Sequence, residues 1–319
     1  MRSTHKNSVA EHNQPWFVSN TIAQGDLASL AADVKSHVRN MIENGYTVIK
    51  SALPKAFCKQ VVEDFHAFAA LNESKFERFR DADGHYPRIA NLHAAFTPLQ
   101  QVFSQNHMAL AVQRALFRAE PSLYTSLFYE RGSSQDIHRD TPYFSTKPEL
   151  FYLGVWVALE DAGTENGALE VVPKGHLIPE FDREKIALEL FPDLDGMPSS
   201  SQQLWDIYQA KVWEACNERG LEKLVVPVSA GDTIIWHPQL PHGGSKIRDL
   251  SRTRFSFVMH TTPVGVPVYH QNVFFNPTKE VPIDSSWGYD RLDGAMFVGH
   301  DEVDFAHREQ FNVSTFTQP

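Results

Sequence analysis

FYLGVWVALEDAGTENGALEVVPKGH, residues 151–176, decides the fold. It holds two apolar runs rich in β-branched and aromatic residues, FYLGVWVALED and GALEVVP, and each stops at a Gly- or Pro-bearing break. Runs this short and this rich in valine and aromatics fit buried strands better than helices. The same composition recurs on both sides. SLYTSLFYE (122–130) comes before it, and LVVPV (224–228), DTIIWH (232–237) and RTRFSFVMHTT (252–262) come after. Turn-forming segments such as ERGSS, SAGD and PHGG punctuate them.

Many short strands between tight turns indicate a sandwich or closed barrel. The expected class is mainly β with flanking helices, around a double-stranded β-helix (jelly roll, cupin-like) core over residues 122–263. Helical periodicity lies mostly ahead of that core. DLASLAADVKSHVRNMIENG (26–45) carries apolar residues at helical spacing, with Asp26 as a candidate cap and Gly45 as a stop. YTVIK (46–50) reads as a strand, PKAFCKQVVEDFHAFAAL (54–71) as a helix begun by Pro54, and residues 105–119 as another helix. A polar stretch over 80–93 reads as a long loop. A helical insertion over 177–222 interrupts the strands, with QQLWDIYQAKVWEACNERG its clearest helix. There is no internal repeat, and residues 1–24 are polar and expected to be loose. A single domain over 1–319 is the simplest organisation.

Of 319 residues, 42% are apolar, enough to bury a core, and 29 basic against 39 acidic residues give a net charge of −10. That balance argues against a general nucleic-acid or membrane-surface binder. Cys58 and Cys216 are the only cysteines, so a disulfide framework is not expected and a reducing cytoplasm fits. The N-terminal residues lack the apolar run of a signal peptide, and no stretch approaches a membrane span. Small-molecule chemistry is the expected class of function, with oligomeric state open.

SSQDIHRDTPYF (133–144) raises the question of a metal. A His-x-acid pair is weak alone, and the chain has three: HRD (138–140), HDE (300–302) and HRE (307–309). In a strand, residues i and i+2 share a face, so His138 and Asp140 could reach one ion. A third ligand is available in AGDTIIWHPQLPHGG (230–244), where His242 ends a strand just before two glycines. Two histidines and one carboxylate leave coordination positions open, as in non-haem Fe(II) oxygenases. The pairs in the polar tail read as solvated surface. His237 reads as a buried histidine bonding to backbone, with His176 and His260 in supporting roles.

GYTVIKSALPKAFCKQV (45–61), HRD with its flanking SSQDI, VWVALEDAGTENGALEVVPKGH (155–176), AGDTIIWHPQLPHGGS (230–245) and SRTRFSFVMHTTP (251–263) together resemble the phytanoyl-CoA dioxygenase family. That family uses Fe(II) and 2-oxoglutarate with O2, and order and spacing agree over about residues 28–263. PKGH departs from the Gly-Ser that commonly precedes this histidine. The resemblance implies that His138, Asp140 and His242 ligate iron, and that Arg254 grips the distal carboxylate of 2-oxoglutarate. It also implies contacts from Gln135 and Trp156 to that cosubstrate. Oxidative decarboxylation to succinate and CO2, with attack on an unactivated C–H bond, would follow. A carboxylate at 140, rather than the small residue of related halogenases, favours hydroxylation over halogenation, while desaturation, epimerisation and cyclisation stay open.

The residues support Arg254 independently. In RTRFSFVMH, Phe255, Phe257 and Met259 share one face while Arg254, Ser256 and His260 share the other. A core arginine needs an anion, and a dicarboxylate suits its planar fork. Arg252 has the same parity and is the alternative. Pocket walls are expected from the 80–93 loop (His85, Arg88, His93), from the insertion, and from Tyr143 and Phe144. Two other readings stay open: a cupin-type metal-dependent isomerase or hydrolase without 2-oxoglutarate, and a non-catalytic jelly-roll binding module.

Overall fold

The computed structural model describes residues 15–18, 27–281, 287–299 and 316–317. Candidate cap Asp26 and the HDE and HRE pairs lie outside the described residues.

The strands in chain order begin with β1 (Tyr46–Ile49), β2 (Ile89–Ala90), β3 (Pro121–Tyr129), β4 (Ser145–Thr146), β5 (Leu153–Ala158) and β6 (Leu169–Val171). They continue with β7 (Leu224–Val226), β8 (Thr233–Trp236), β9 (His242–Gly244), β10 (Ser256–Pro263), β11 (Val268–Tyr269), β12 (Tyr289–Leu292) and β13 (Ala295–Val298). Alternation along them builds the layers. On β10, Phe257 and Met259 join an apolar core shared with helices, while Val258 joins a second core on the other face. On β5, Val155 and Val157 join the first, and Trp156 and Ala158 the second.

An eight-stranded sheet results, ordered β1-β8-β5-β10-β3-β13-β12 with β2 also on β3. Its helix-facing side packs on α1 (Ala32–Asn44), α2 (Lys55–Leu71), α3 (Thr97–Ser104) and α4 (His107–Phe117), through Met41, Phe65, Val102 and Leu116 among others. A smaller sheet, β7-β6-β9, meets the opposite face, its Leu169, Val171 and Val226 sharing a core with Trp156, Ile234 and Trp236. Between β6 and β7 lie α5 (Arg183–Leu188) and α6 (Gln202–Glu218), inside the insertion read from sequence. The fold is therefore sheet-rich with flanking helices.

Two expectations need correction. The helix read over 26–45 is broken, with residues 27–28 helical, 29–31 not, and the long helix running over Ala32–Asn44; Ala31, in extended conformation, precedes it and offers no side-chain cap. Gly45 does stop it, at φ 83°. The main sheet also extends beyond residues 122–263, because β1 pairs with β8 and β13 runs parallel to β3. The β12–β13 hairpin turns through Asp293 and Gly294, with φ of 48° and 84°. Asp-Gly is the residue pair that a tight two-residue hairpin turn favours.

Candidate metal centre

Backbone pairing brings the two histidines together. His138 donates its N–H to the carbonyl of His242 (2.8 Å) and accepts the N–H of His242 in return (3.0 Å). Their rings then lie 4.6 Å apart between centroids. Asp140 sits on the same side as His138. Its Oδ1 is 3.5 Å from His138 Nε2, and its Oδ2 is 3.5 Å from His242 Nε2. All three are buried, and their ligand atoms lie within 4.8 Å of one another. Among the described residues, no other three His, Cys, Asp or Glu side chains converge in this way.

Hydrogen bonds fix which nitrogens are available. His138 Nδ1 donates to the carbonyl of Asp136 (2.7 Å), and His242 Nδ1 to that of Leu240 (3.0 Å). Both Nε2 lone pairs therefore face the carboxylate, the usual device for orienting metal-binding imidazoles. Burial, opposed in part by Asp140, pushes His242 down to about 4. Burial also opposes ionisation of Asp140, but His242, His138 and His260 outweigh it and hold the carboxyl below the usual range. Two imidazole nitrogens and one carboxylate thus converge in a buried space, a donor set that fits a divalent transition metal.

Glycines make this geometry possible. A Cβ on Gly243 would stand 2.5 Å from the carbonyl oxygen of Gln135, and one on Gly244 would stand 2.7 Å from Ser133 Oγ. Ser134 takes φ 46°, bending the chain just before the first ligand. The bend lets Gln135, at an odd offset, reach the same side and donate from Nε2 to His138 Nε2 (3.3 Å).

Asp140 is held by two side chains that sequence reasoning missed. Tyr152 donates its hydroxyl hydrogen to Asp140 Oδ2 (2.7 Å), and Trp236 Nε1–H donates to the same oxygen (3.1 Å). Tyr152 in turn accepts from His260 Nδ1–H. Tyr152 has the parity of Trp156, so the pocket-side alternation of 152–156 carried the signal. Gly154 lies between them because a Cβ there would overlap the indole of Trp236. Tyr152→Phe is expected to lower stability by about 1–3 kcal/mol, since it strips a donor from a buried carboxylate and an acceptor from His260. Metal affinity should fall about tenfold. Urea unfolding and Mn(II) titration check this; no change in either would remove Tyr152 from the role.

A cavity of about 420 Å³ runs past the cluster and is lined by His138, Asp140, His242, Trp156, Trp205 and Arg254 among others. Arg254 is 2% exposed. It donates to the carbonyls of Gly167 (2.8 Å) and Arg131 (3.4 Å), and its Nε has no partner. Among the described residues no carboxylate lies within ion-pair distance of it. Burial lowers its pKa to about 10, so it remains a cation at neutral pH. Its guanidinium lies 5.4 Å from the Trp156 ring and 5.7 Å from that of Tyr129. Arg252 is exposed. Of the other expected wall residues, Arg88, Tyr143 and Phe144 line the cavity, and the insertion supplies Ser200, Gln202 and Trp205. His85 instead bonds Glu130 (2.9 Å), and buried His93 bonds Ser126 (2.6 Å).

His237 and His176 stand outside the cluster, on buried backbone contacts. His237 Nδ1 accepts the Gln239 N–H (3.1 Å), and His176 Nε2 donates to the Ile42 carbonyl (3.0 Å). Burial drives His176 down to about 4 and His237 well below its ordinary value. Unfolded histidine titrates near 6.5, so between that pH and about 4 the unfolded chain binds more protons. Stability is therefore expected to be full above that window and to fall as pH drops through it. His176→Gln should flatten part of the slope in urea midpoints measured across the range; an unaltered slope would remove His176 as a source.

A helix-flanked, sheet-rich fold with two histidines and one carboxylate facing a common point beside a buried arginine defines the class. The chain belongs to the phytanoyl-CoA dioxygenase (PhyH) family, whose profile matches residues 41–254. Phytanoyl-CoA dioxygenase domain-containing protein 1 of Bos taurus is 23% identical over 200 residues, covering 61% of this chain and 63% of that relative. The chain thus matches less than two thirds of that relative's length. Among solved structures, the non-heme alpha ketoglutarate dependent carbocyclase SnoK from nogalamycin biosynthesis is 19% identical with a TM-score of 0.53, covering 82% of this chain and 95% of its own. The epimerase SnoN, solved with Fe3+, alpha ketoglutarate and nogalamycin RO, is 15% identical with a TM-score of 0.56, covering 84% and 98%. At these identities the likeness is one of fold. Among the described residues no helix is long and apolar enough to cross a membrane.

Proposed function

We propose that the protein is a non-haem Fe(II)- and 2-oxoglutarate-dependent dioxygenase that hydroxylates a small-molecule metabolite, built as one domain on a double-stranded β-helix core. The convergence of His138, Asp140 and His242, with their ligand atoms within 4.8 Å, carries the reading, and membership of the PhyH family supports it. These three residues would hold the metal. Arg254 would bind the distal carboxylate of 2-oxoglutarate, flanked by Trp156 and Gln135. Bound there, the iron and its cosubstrate would supply oxidative decarboxylation to succinate and CO2, coupled to oxidation of an unactivated C–H bond.

The chain's own residues orient and shield. Asp140 keeps the carboxylate position filled, which favours hydroxylation over halogenation. Two proteins of similar fold are alpha ketoglutarate dependent and are a carbocyclase and an epimerase, so the product must be identified directly. Aromatic Tyr143, Phe144 and Trp205 would wall off water and receive an apolar part of the substrate. Both cysteines are unpaired and buried, in keeping with a reducing cytoplasm. The test is succinate release with Fe(II), O2 and 2-oxoglutarate across a metabolite library, followed by mass analysis for gain of one oxygen. Failure to bind Fe(II) or 2-oxoglutarate would overturn the reading.

A further inference from the structure

The peptide between the two proposed ligands is gripped from the insertion. Gln209, on α6, accepts the N–H of Arg139 at its Oε1 (2.8 Å) and donates from Nε2 to the carbonyl of the same residue (2.9 Å). One amide thus meets both polar groups of one residue, as a neighbouring strand would. Neither group has water as a substitute, because Arg139 is wholly buried and Gln209 is 7% exposed. The Arg139 side chain points away from the cavity, its Nη2 donating to the carbonyls of Gly175 (3.0 Å) and Ile178 (3.1 Å).

Flanking contacts agree. One turn earlier on the same helix, Trp205 lies 5.7 Å from the His138 ring and lines the cavity. Residues i and i+4 share a helix face, so a single face of α6 holds both the cavity wall and the ligand-bearing peptide. Tyr208 on α6 also donates to Glu180 (2.9 Å), which lies 4.0 Å from the Arg139 guanidinium.

We infer that Gln209 is a positioning residue: it fixes the backbone between His138 and Asp140, and so sets the separation of two metal ligands from outside the β core. This rests on the metal reading above. A loop without this clamp could rotate the 138–140 peptides, and His138 and Asp140 would then meet an ion only after reordering. Groups that orient metal ligands typically change affinity about ten- to a hundredfold when removed.

Three variants of the full chain test it: Gln209→Met, which keeps shape but removes both bonds; Gln209→Glu, which can accept the N–H but turns an oxygen toward the carbonyl; and Gln203→Met, an exposed control on the same helix. Two readouts are taken on each: Mn(II) affinity by electron paramagnetic resonance, and amide hydrogen exchange over 136–141 in metal-free protein. Q209M is expected to weaken Mn(II) binding about tenfold or more, to speed exchange at Arg139, and to keep native helix content. Q209E should fall between, and Q203M should match the unsubstituted protein. Mn(II) affinity within twofold for folded Q209M, or unchanged exchange at Arg139, would overturn the role. If Q209M does not fold, an unweakened Q209E decides against it. An unsubstituted protein that binds no Mn(II) would instead remove the metal centre itself, while the exchange readout would still report whether Gln209 holds the peptide.

Discussion

Asp140→Ala is expected to abolish succinate formation and to weaken Fe(II) binding by more than about a hundredfold. Outer groups that merely orient ligands already cost about ten- to a hundredfold, so loss of the one anionic donor must exceed that. His138 and His242 would face each other across a neutral gap, with no negative charge to offset burial of a dication. The variant would also leave Tyr152 O–H and Trp236 Nε1–H without their shared acceptor, a cost of about 1–3 kcal/mol for each buried donor left unmade. Release of a desolvated carboxylate offsets part of this, so folding should survive better than metal binding. Asp140→Asn separates the effects: it keeps an oxygen for those donors but removes the charge, and should restore stability without restoring affinity. His138→Ala and His242→Ala should lose turnover as well. Anaerobic Fe(II) titration beside a succinate assay checks all four, and undiminished turnover in any one would strike that residue from the ligand set.

What the sequence disclosed follows from how local each cause is. The i, i+2 spacing of His138 and Asp140 needs only an extended backbone, and the glycines after His242 are dictated by the neighbouring 133–136 segment. The parity of β10 likewise placed Phe257 and Met259 against the helices and Arg254 with His260 along the cavity. Tyr152 and Trp236 escaped because their meeting at Asp140 depends on the register of β5 against β8, where Gly154 stands opposite Trp236. No spacing within either strand specifies that pairing. Gln209 escaped for a related reason: α6 was legible as a helix, but which turn would meet Arg139 is set by tertiary packing. The β12–β13 hairpin carried a local signal in its Asp-Gly turn, and its strands were too short to draw notice beside a polar tail.

Arg254→Ala should weaken 2-oxoglutarate binding by more than tenfold, a loss of at least about 1.4 kcal/mol. Arg254 is left with hydrogen-bonding capacity unmet. Its guanidinium satisfies two carbonyls, leaves Nε without a partner, and has no carboxylate nearby among the described residues. A buried cation in that condition gains most from an anion that brings two oxygens in one plane. Lysine cannot reproduce the fork, so Arg254→Lys should recover little. Arg252→Ala, an exposed change at the same strand parity, should bind as the unsubstituted protein does. Anaerobic calorimetry in the presence of Mn(II) measures the affinities. Thermal stability offers an independent reading, because a ligand at a hundred times its Kd stabilises by about 2.7 kcal/mol, and a tenfold loss of affinity reduces that to about 1.4 kcal/mol. Mn(II) affinity should stay near its original value in Arg254→Ala, since the arginine touches none of the three proposed ligands. Equal 2-oxoglutarate affinity in Arg254→Ala would transfer the role to Arg252 if that variant were impaired, and would otherwise favour a metal enzyme that does not use this cosubstrate.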